Sequence, residues 1–248
     1  MSYRFEVKAF AKKKLSGQYL TILGACLLAF LPIIAISLVS AFLSTVFSIA
    51  LFYADPMIYD FLRGIWTIFS VFTEFLTYLF LPFSVVGLSG FAILVVRGNR
   101  EKFYFPYVDG AKRYLRKLGG ILLEHLFIFL WSLLFVIPGI IKSLAYSFNR
   151  YILSDCPNLT AREALNLSKK MTSGIKGELF VFELSFIGWW ILTAFTCGIL
   201  CVYTIPYYTM AKATLYESIK NSCIASGKLC ERDFDPTLVY VNENNSEN

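Results

Sequence analysis

Residues 18–53 and 57–96 are two long apolar blocks, separated only by Ala54-Asp55-Pro56. About 20 predominantly apolar residues cross a bilayer, so each block exceeds one span. Hydrocarbon offers no water to bond exposed amides and carbonyls, and a spanning segment must close its own hydrogen bonds as a helix. Composition agrees. Of the 248 residues 57% are hydrophobic and 16% charged, where a soluble domain carries about 25% charge. The expected fold is all-α, a polytopic integral membrane protein.

The N-terminus carries features of a secretion signal. Lys12, Lys13 and Lys14 precede an apolar run, and Leu23-Gly24-Ala25-Cys26 looks like a lipoprotein cleavage box. The apolar run continues well past Cys26, whereas a signal core is about 7–15 residues long. An uncleaved helix is expected. The six cysteines (26, 156, 197, 201, 223 and 230) form no CxxC and share one histidine among them. Neither a metal site nor a disulfide framework is expected, and no cofactor.

Six spans follow from the hydropathy pattern, at about 18–53, 57–96, 119–137, 139–154, 179–197 and 199–213. The first two blocks read as one span each plus an apolar extension near the outer surface, with Pro82 kinking the second. Pro138-Gly139 reads as the outer turn between the third and fourth. Basic elbow helices are expected at about 107–118 and 160–172, and residues 221–248 form a polar tail expected to be disordered. Cations set the orientation. They precede the first span (Arg4, Lys8, Lys12–Lys14) and lie between spans two and three (Arg97, Arg100, Lys102, Lys112, Arg113, Arg116, Lys117). Others lie between four and five (Arg162, Lys169, Lys170, Lys176) and after six (Lys220, Lys228, Arg232), while the opposite loops carry Arg63. Both termini are therefore expected in the cytoplasm, with the chain in a bacterial cell membrane. The glycosylation sequons at Asn158 and Asn166 are then chance matches.

Three stretches resemble one another: "VKAFAKKKLSGQYLTIL", "VDGAKRYLRKLGGILLEHL" and "AREALNLSKKMTSGIKGELFVF". Each sets a basic amphipathic helix before Gly17, Gly119–Gly120 or Gly174, and then opens a pair of spans. Thr160 and Glu163 form a capping box for the third. The pattern reads as three helical-hairpin repeats; the competing reading is that any basic loop entering a helix looks this way. In either case Lys12, Lys13, Lys14, Lys112, Arg113, Arg116, Lys117, Lys169 and Lys170 are expected to contact anionic lipid headgroups on the cytoplasmic side, each worth about 1 kcal/mol.

Ionisable groups inside a membrane are costly and pair with one another. With a rise of 1.5 Å per residue, Glu124 lies roughly 21 Å and Arg150 roughly 18 Å below the turn at Pro138-Gly139. Glu183 reaches a similar depth. A cluster is expected in which Arg150 sits between Glu124 and Glu183, with Asn149 and Ser185 nearby. Lys142 is too near the turn to join it and should reach the outer interface. No nucleotide loop, HExxH or Ser-His-Asp arrangement is present, and nothing supplies a nucleophile or metal beside Glu124 and His125.

The residues from Leu130 to Tyr208 also carry a set of short motifs. These are IPGII-K (137–142), the elbow DCPNLTAREA (155–164), the exit SKKMTSG (168–174), LSFIGW (184–189) and Pro206-Tyr207. They resemble the bacterial integral membrane proteins grouped as DUF975, a domain of unknown function found mostly in Firmicutes. The resemblance covers about residues 2–220 and implies a membrane fold rather than an activity. Asn149-Arg150 departs from it, since the family would place Ala-Pro before Tyr-Ile-Leu, so the Arg150 cluster is peculiar to this chain. The turn and elbow are more distantly similar to membrane domains attached to some glycerophosphodiester phosphodiesterases, which implies a lipid-facing accessory role. The expected function is a non-enzymatic accessory or interaction module at the cytoplasmic lipid interface. The alternative is a small transporter, channel or lipid-handling protein whose path passes Glu124, Arg150 and Glu183. A cavity reaching those residues would favour the alternative; a dry bundle would favour the first.

Overall fold

The computed structural model describes residues 2–53, 55–99 and 102–235, which form helices and short connections without a strand. In chain order these are α1 (Ser2–Phe52), α2 (Pro56–Leu81), a π-helical turn (Pro82–Val86), α3 (Gly87–Val96), α4 (Phe105–Ala111) and α5 (Tyr114–Leu134). Then follow α6 (Val136–Ala145), α7 (Asn149–Asp155), α8 (Ala161–Thr172), α9 (Lys176–Phe195), α10 (Cys201–Ala225) and α11 (Glu231–Phe234). Four stretches are long and apolar enough to cross a membrane: Phe5–Phe52, Ile58–Val96, Tyr114–Leu134 and Lys176–Phe195. The chain is an all-α protein built for a membrane.

Where the helices break follows from local chemistry. In α1 the backbone departs from helical geometry at Gln18 (φ −141°, ψ 30°), one residue past Gly17, so the basic segment and the apolar segment meet at a kink. Proline has no amide to donate, and at Pro82 the second apolar block passes through its π-helical turn before resuming as α3. The expected elbow at Gly119–Gly120 is not an elbow, because both residues lie within α5. The chain turns earlier, at Arg113, which adopts the left-handed conformation (φ 50°). Gly120 serves close packing instead: a Cβ there would stand 2.6 Å from Leu153 Cδ1 on α7. Gly174, with φ +89°, does form the expected elbow between α8 and α9.

The hairpin of α5 and α6 turns at the extended residue Phe135, and Pro138 falls in the first turn of α6, where its missing amide has no intrahelical partner to lose. The segment expected to be a single span at 139–154 is two helices, α6 and α7, parted at Tyr146–Phe148. The backbone groups freed by this break are bonded by α8. Ser168 and Thr172 donate their hydroxyls to the Ala145 carbonyl (2.9 and 3.2 Å), and the Phe148 amide donates to Ser168 Oγ (3.3 Å).

Much of the core lies among α3, α7, α9 and α10, with the first half of α1 laid against it. Phe91, Phe148, Phe182, Phe186 and Tyr216 are fully buried, and the rings of Tyr151 and Tyr216 stack at 5.5 Å. By contrast the far half of α1 and residues 58–80 of α2 leave many of their apolar side chains exposed, including Leu38, Phe42, Phe61 and Ile68, as a lipid-facing hairpin requires. The expected disordered tail is ordered over its first part. Helix α10 runs to Ala225, and Leu229 and Phe234 are buried beyond it. Residues 236–248, and Ala54, Arg100 and Glu101 in the loops, lie outside the described residues.

Candidate functional site

A cavity of about 690 Å³ opens between α5, α6, α7, α9 and α10. Its polar wall includes Glu124, Ser147, Arg150, Glu183, Tyr208 and Lys212, and apolar side chains such as Phe30, Leu144, Ile187 and Trp190 line the rest.

Three of the four residues expected to form the intramembrane cluster come together on one side. Helix α7 runs antiparallel to α5, and Asn149, its first residue, is completely buried. Its amide donates to Glu124 Oε2 (2.9 Å) and to the Gly120 carbonyl (3.2 Å). Arg150 Nη2 lies 3.6 Å from Glu124 Oε1, an ion pair beyond hydrogen-bonding distance. The Arg150 side chain is 40% exposed.

The fourth residue is engaged elsewhere. Glu183 does not pair with Arg150: it accepts from Lys212 Nζ (2.6 Å) and from the Tyr208 hydroxyl (2.9 Å). Ser185, also expected nearby, accepts from Lys8 instead. Lys212 and Tyr208 stand one helical turn apart on α10, so they share a face and meet Glu183 as a unit. Sequence reasoning overlooked Lys212, although a lysine four residues after a tyrosine in an apolar segment was the available signal. The buried polar atoms without a hydrogen-bond partner among the described residues include Ser147 Oγ on the cavity wall and Asn149 Oδ1. His125 donates Nδ1–H to the Ile121 carbonyl one turn back (2.8 Å) and does not line the cavity.

The cations expected at lipid headgroups divide. Lys12, Lys13, Lys112, Lys169 and Lys170 are exposed, and Lys14 is half-buried with its ammonium 5.7 Å from the Phe10 ring. Arg113, though exposed, donates to the Pro157 carbonyl and to Asn158. Arg116 donates to the carbonyls of Leu153, Cys156 and Leu159, and so caps the C-terminal turn of α7. Lys117 is corrected outright: it is buried, and it pairs with Asp109 at 2.8 Å, where Ser154 also donates (2.7 Å).

A second charged cluster closes the far end of α7. Asp155 accepts from Arg97 (2.7 Å), Lys220 (2.6 Å) and the Tyr216 hydroxyl (3.0 Å), and Arg97 continues to Glu217 (2.8 Å). Burial alone would raise the Asp155 carboxyl, but hydrogen bonds and charge from Arg97 and Lys220 outweigh it and hold it below the ordinary carboxylate range. At α8 the expected capping box is present, with the Glu163 amide on Thr160 Oγ1 (3.3 Å) and the Thr160 amide on Glu163 Oε2 (2.7 Å). Among the described residues no three His, Cys, Asp or Glu side chains are grouped to hold a metal ion.

Residues 133–222 match the model of a family described as a protein of unknown function (DUF975), the family that the motifs resemble. No curated protein and no solved structure matches the chain. The matched residues span α6 to most of α10 and supply Arg150, Asp155, Glu183, Tyr208 and Lys212, whereas Glu124 and Arg97 come from outside them.

Proposed function

We propose that this chain is a non-enzymatic lipid-handling protein of the bacterial cytoplasmic membrane, and that its cavity holds an amphiphile by an anionic head. One observation carries this reading. Arg150 faces the cavity, yet among the described residues it makes a single ion pair, at 3.6 Å, and no hydrogen bond. A guanidinium has five donors and cannot be deprotonated away. A carboxylate or phosphate entering the cavity would meet this idle fork, and the apolar wall would take the hydrocarbon part. The volume of about 690 Å³ falls within the range usual for small-molecule sites, roughly 300–1,000 Å³.

The topology belongs to the same proposal. Six crossings, with α6–α7 as the fourth and α10 as the sixth, put both termini and most of the cations in the cytoplasm. The three basic segments, each leading into a hairpin, then form one layer at that face. An accessory role at the lipid interface remains the second reading, favoured by the exposed Lys12, Lys13, Lys112, Lys169 and Lys170.

Native mass spectrometry of the full chain in mild detergent, wild type beside Arg150→Gln, tests the first reading. The wild type should carry bound anionic lipid or fatty acid and the variant markedly less. Equal retention by both would sink it.

A further inference from the structure

A second concavity, of about 790 Å³, lies between α8, the start of α9 and residues 228–233. Five cations line it: Lys169 and Lys170 from α8, Lys176 from α9, and Lys228 and Arg232 from the segment beyond α10. Two carboxylates accompany them, and both are already engaged. Glu163 is held by the Thr160 amide and hydroxyl (2.7 and 2.8 Å), which keep it below its ordinary value and ionised. Asp233 accepts the Cys230 amide (2.8 Å) and lies 3.9 Å from Lys170. Lys169, Lys176 and Arg232 have no side-chain partner among the described residues. Lys176 is the first residue of α9, so the positive end of a 20-residue helix adds to the same field.

The far wall is held in place. Leu229 and Phe234 are buried, Lys228 donates to the Ser173 carbonyl (2.5 Å), and Asn158 donates to Asp235 (3.0 Å). The fold therefore gathers like charges from three separate segments, which repel one another until an anion enters. We infer that this cleft is a binding site for a phosphate group, borne by an anionic phospholipid or by a free phosphate ester. Lysines and an arginine converging from several directions suit the three charged oxygens of a phosphate, each reached by a charge-assisted hydrogen bond. The site is distinct from the Arg150 cavity and shares none of its lining residues.

The test uses the purified full chain in two arms. Glycerol 3-phosphate is titrated by calorimetry in detergent, and binding of phosphatidylglycerol is titrated in phosphatidylcholine nanodiscs. Each arm compares wild type with Lys169→Gln/Arg232→Gln and with Arg162→Gln/Lys102→Gln, which removes equal charge outside the cleft. Saturable binding in either arm, weakened at least about tenfold by the cleft pair and less than about twofold by the control pair, supports the site. Binding of the soluble ester identifies a free phosphate compound as a ligand; binding confined to the nanodisc arm identifies a lipid headgroup. Absence of saturable binding in both arms, or equal weakening by the two pairs, overturns it. Arg150→Gln should leave the glycerol 3-phosphate titration unchanged, and Lys169→Gln/Arg232→Gln should still weaken nanodisc binding in an Arg150→Gln background, which separates this inference from the cavity proposal.

Discussion

Helix α7 carries a charge near each end, and the two are treated differently. Asp155 is 6% exposed and accepts from Arg97, Lys220 and Tyr216, so its oxygens are occupied. Arg150, five residues earlier, is 40% exposed and has one distant partner. A saturated charge joins helices. Here it ties the end of α3, the end of α7 and α10 into one clamp. An unsaturated charge joins nothing firmly, and its cost at membrane depth is relieved only when another group arrives. The contrast sets a saturated charge beside an unsaturated one within a single seven-residue helix.

The clamp offers the largest effect. Replacing Asp155 with Asn leaves Lys220 without a carboxylate and Arg97 with Glu217 alone. Removing one partner of a buried pair costs about 3–5 kcal/mol, and the lower end applies because Arg97 is 36% exposed. Unfolding of the purified chain in mixed micelles should show a loss of about 3 kcal/mol; a loss near zero would mean that the clamp is ornamental and the contrast false. The same carboxyl sets a pH dependence. Its folded value is depressed, so its stabilisation is present above the unfolded value of about 3.9 and disappears as pH falls through the folded one. Wild type should lose stability below about pH 4, and Asp155→Asn should lose less over that window.

Within the cavity, Lys212→Met turns a saturated pair into an unsaturated one. Glu183 would keep only the Tyr208 hydroxyl, and its side chain is 32% exposed, so water softens the penalty. A loss of about 2 kcal/mol is expected in the same unfolding assay. If Lys212→Met costs as little as a surface change, the Glu183 wall is as open as the Arg150 wall, and the ligand's head could bind on either side.

Most of this architecture could be read in the residues before any coordinates. Two apolar blocks, the alternation of basic segments, the Thr160–Glu163 capping box and the Glu124–Asn149–Arg150 grouping all follow from spacing and depth. Depth along a helix says nothing of direction around it, so Glu183 looked like a partner for Arg150 when α10 had turned Lys212 toward it. Glycine misled for a related reason. Gly174 supplies a positive φ, while Gly120 supplies room for Leu153, and the letter is the same. The ordered stretch beyond α10 was hidden by sparsity, because Leu229 and Phe234 are single apolar anchors in a polar run.

The smallest stability effect should come from Arg150 itself. Its guanidinium makes no hydrogen bond among the described residues, and its single ion pair at 3.6 Å resembles a solvent-exposed pair, worth about 0–1 kcal/mol. Arg150→Gln should therefore unfold within about 1 kcal/mol of wild type when no amphiphile is present. Added oleate should raise the unfolding midpoint of the wild type, since a ligand that binds only the folded state stabilises it in proportion to the logarithm of its concentration over Kd. The variant should shift little. A destabilisation as large as that of Asp155→Asn would instead make Arg150 a second clamp, because a residue whose loss unfolds the empty protein is already satisfied by the protein alone.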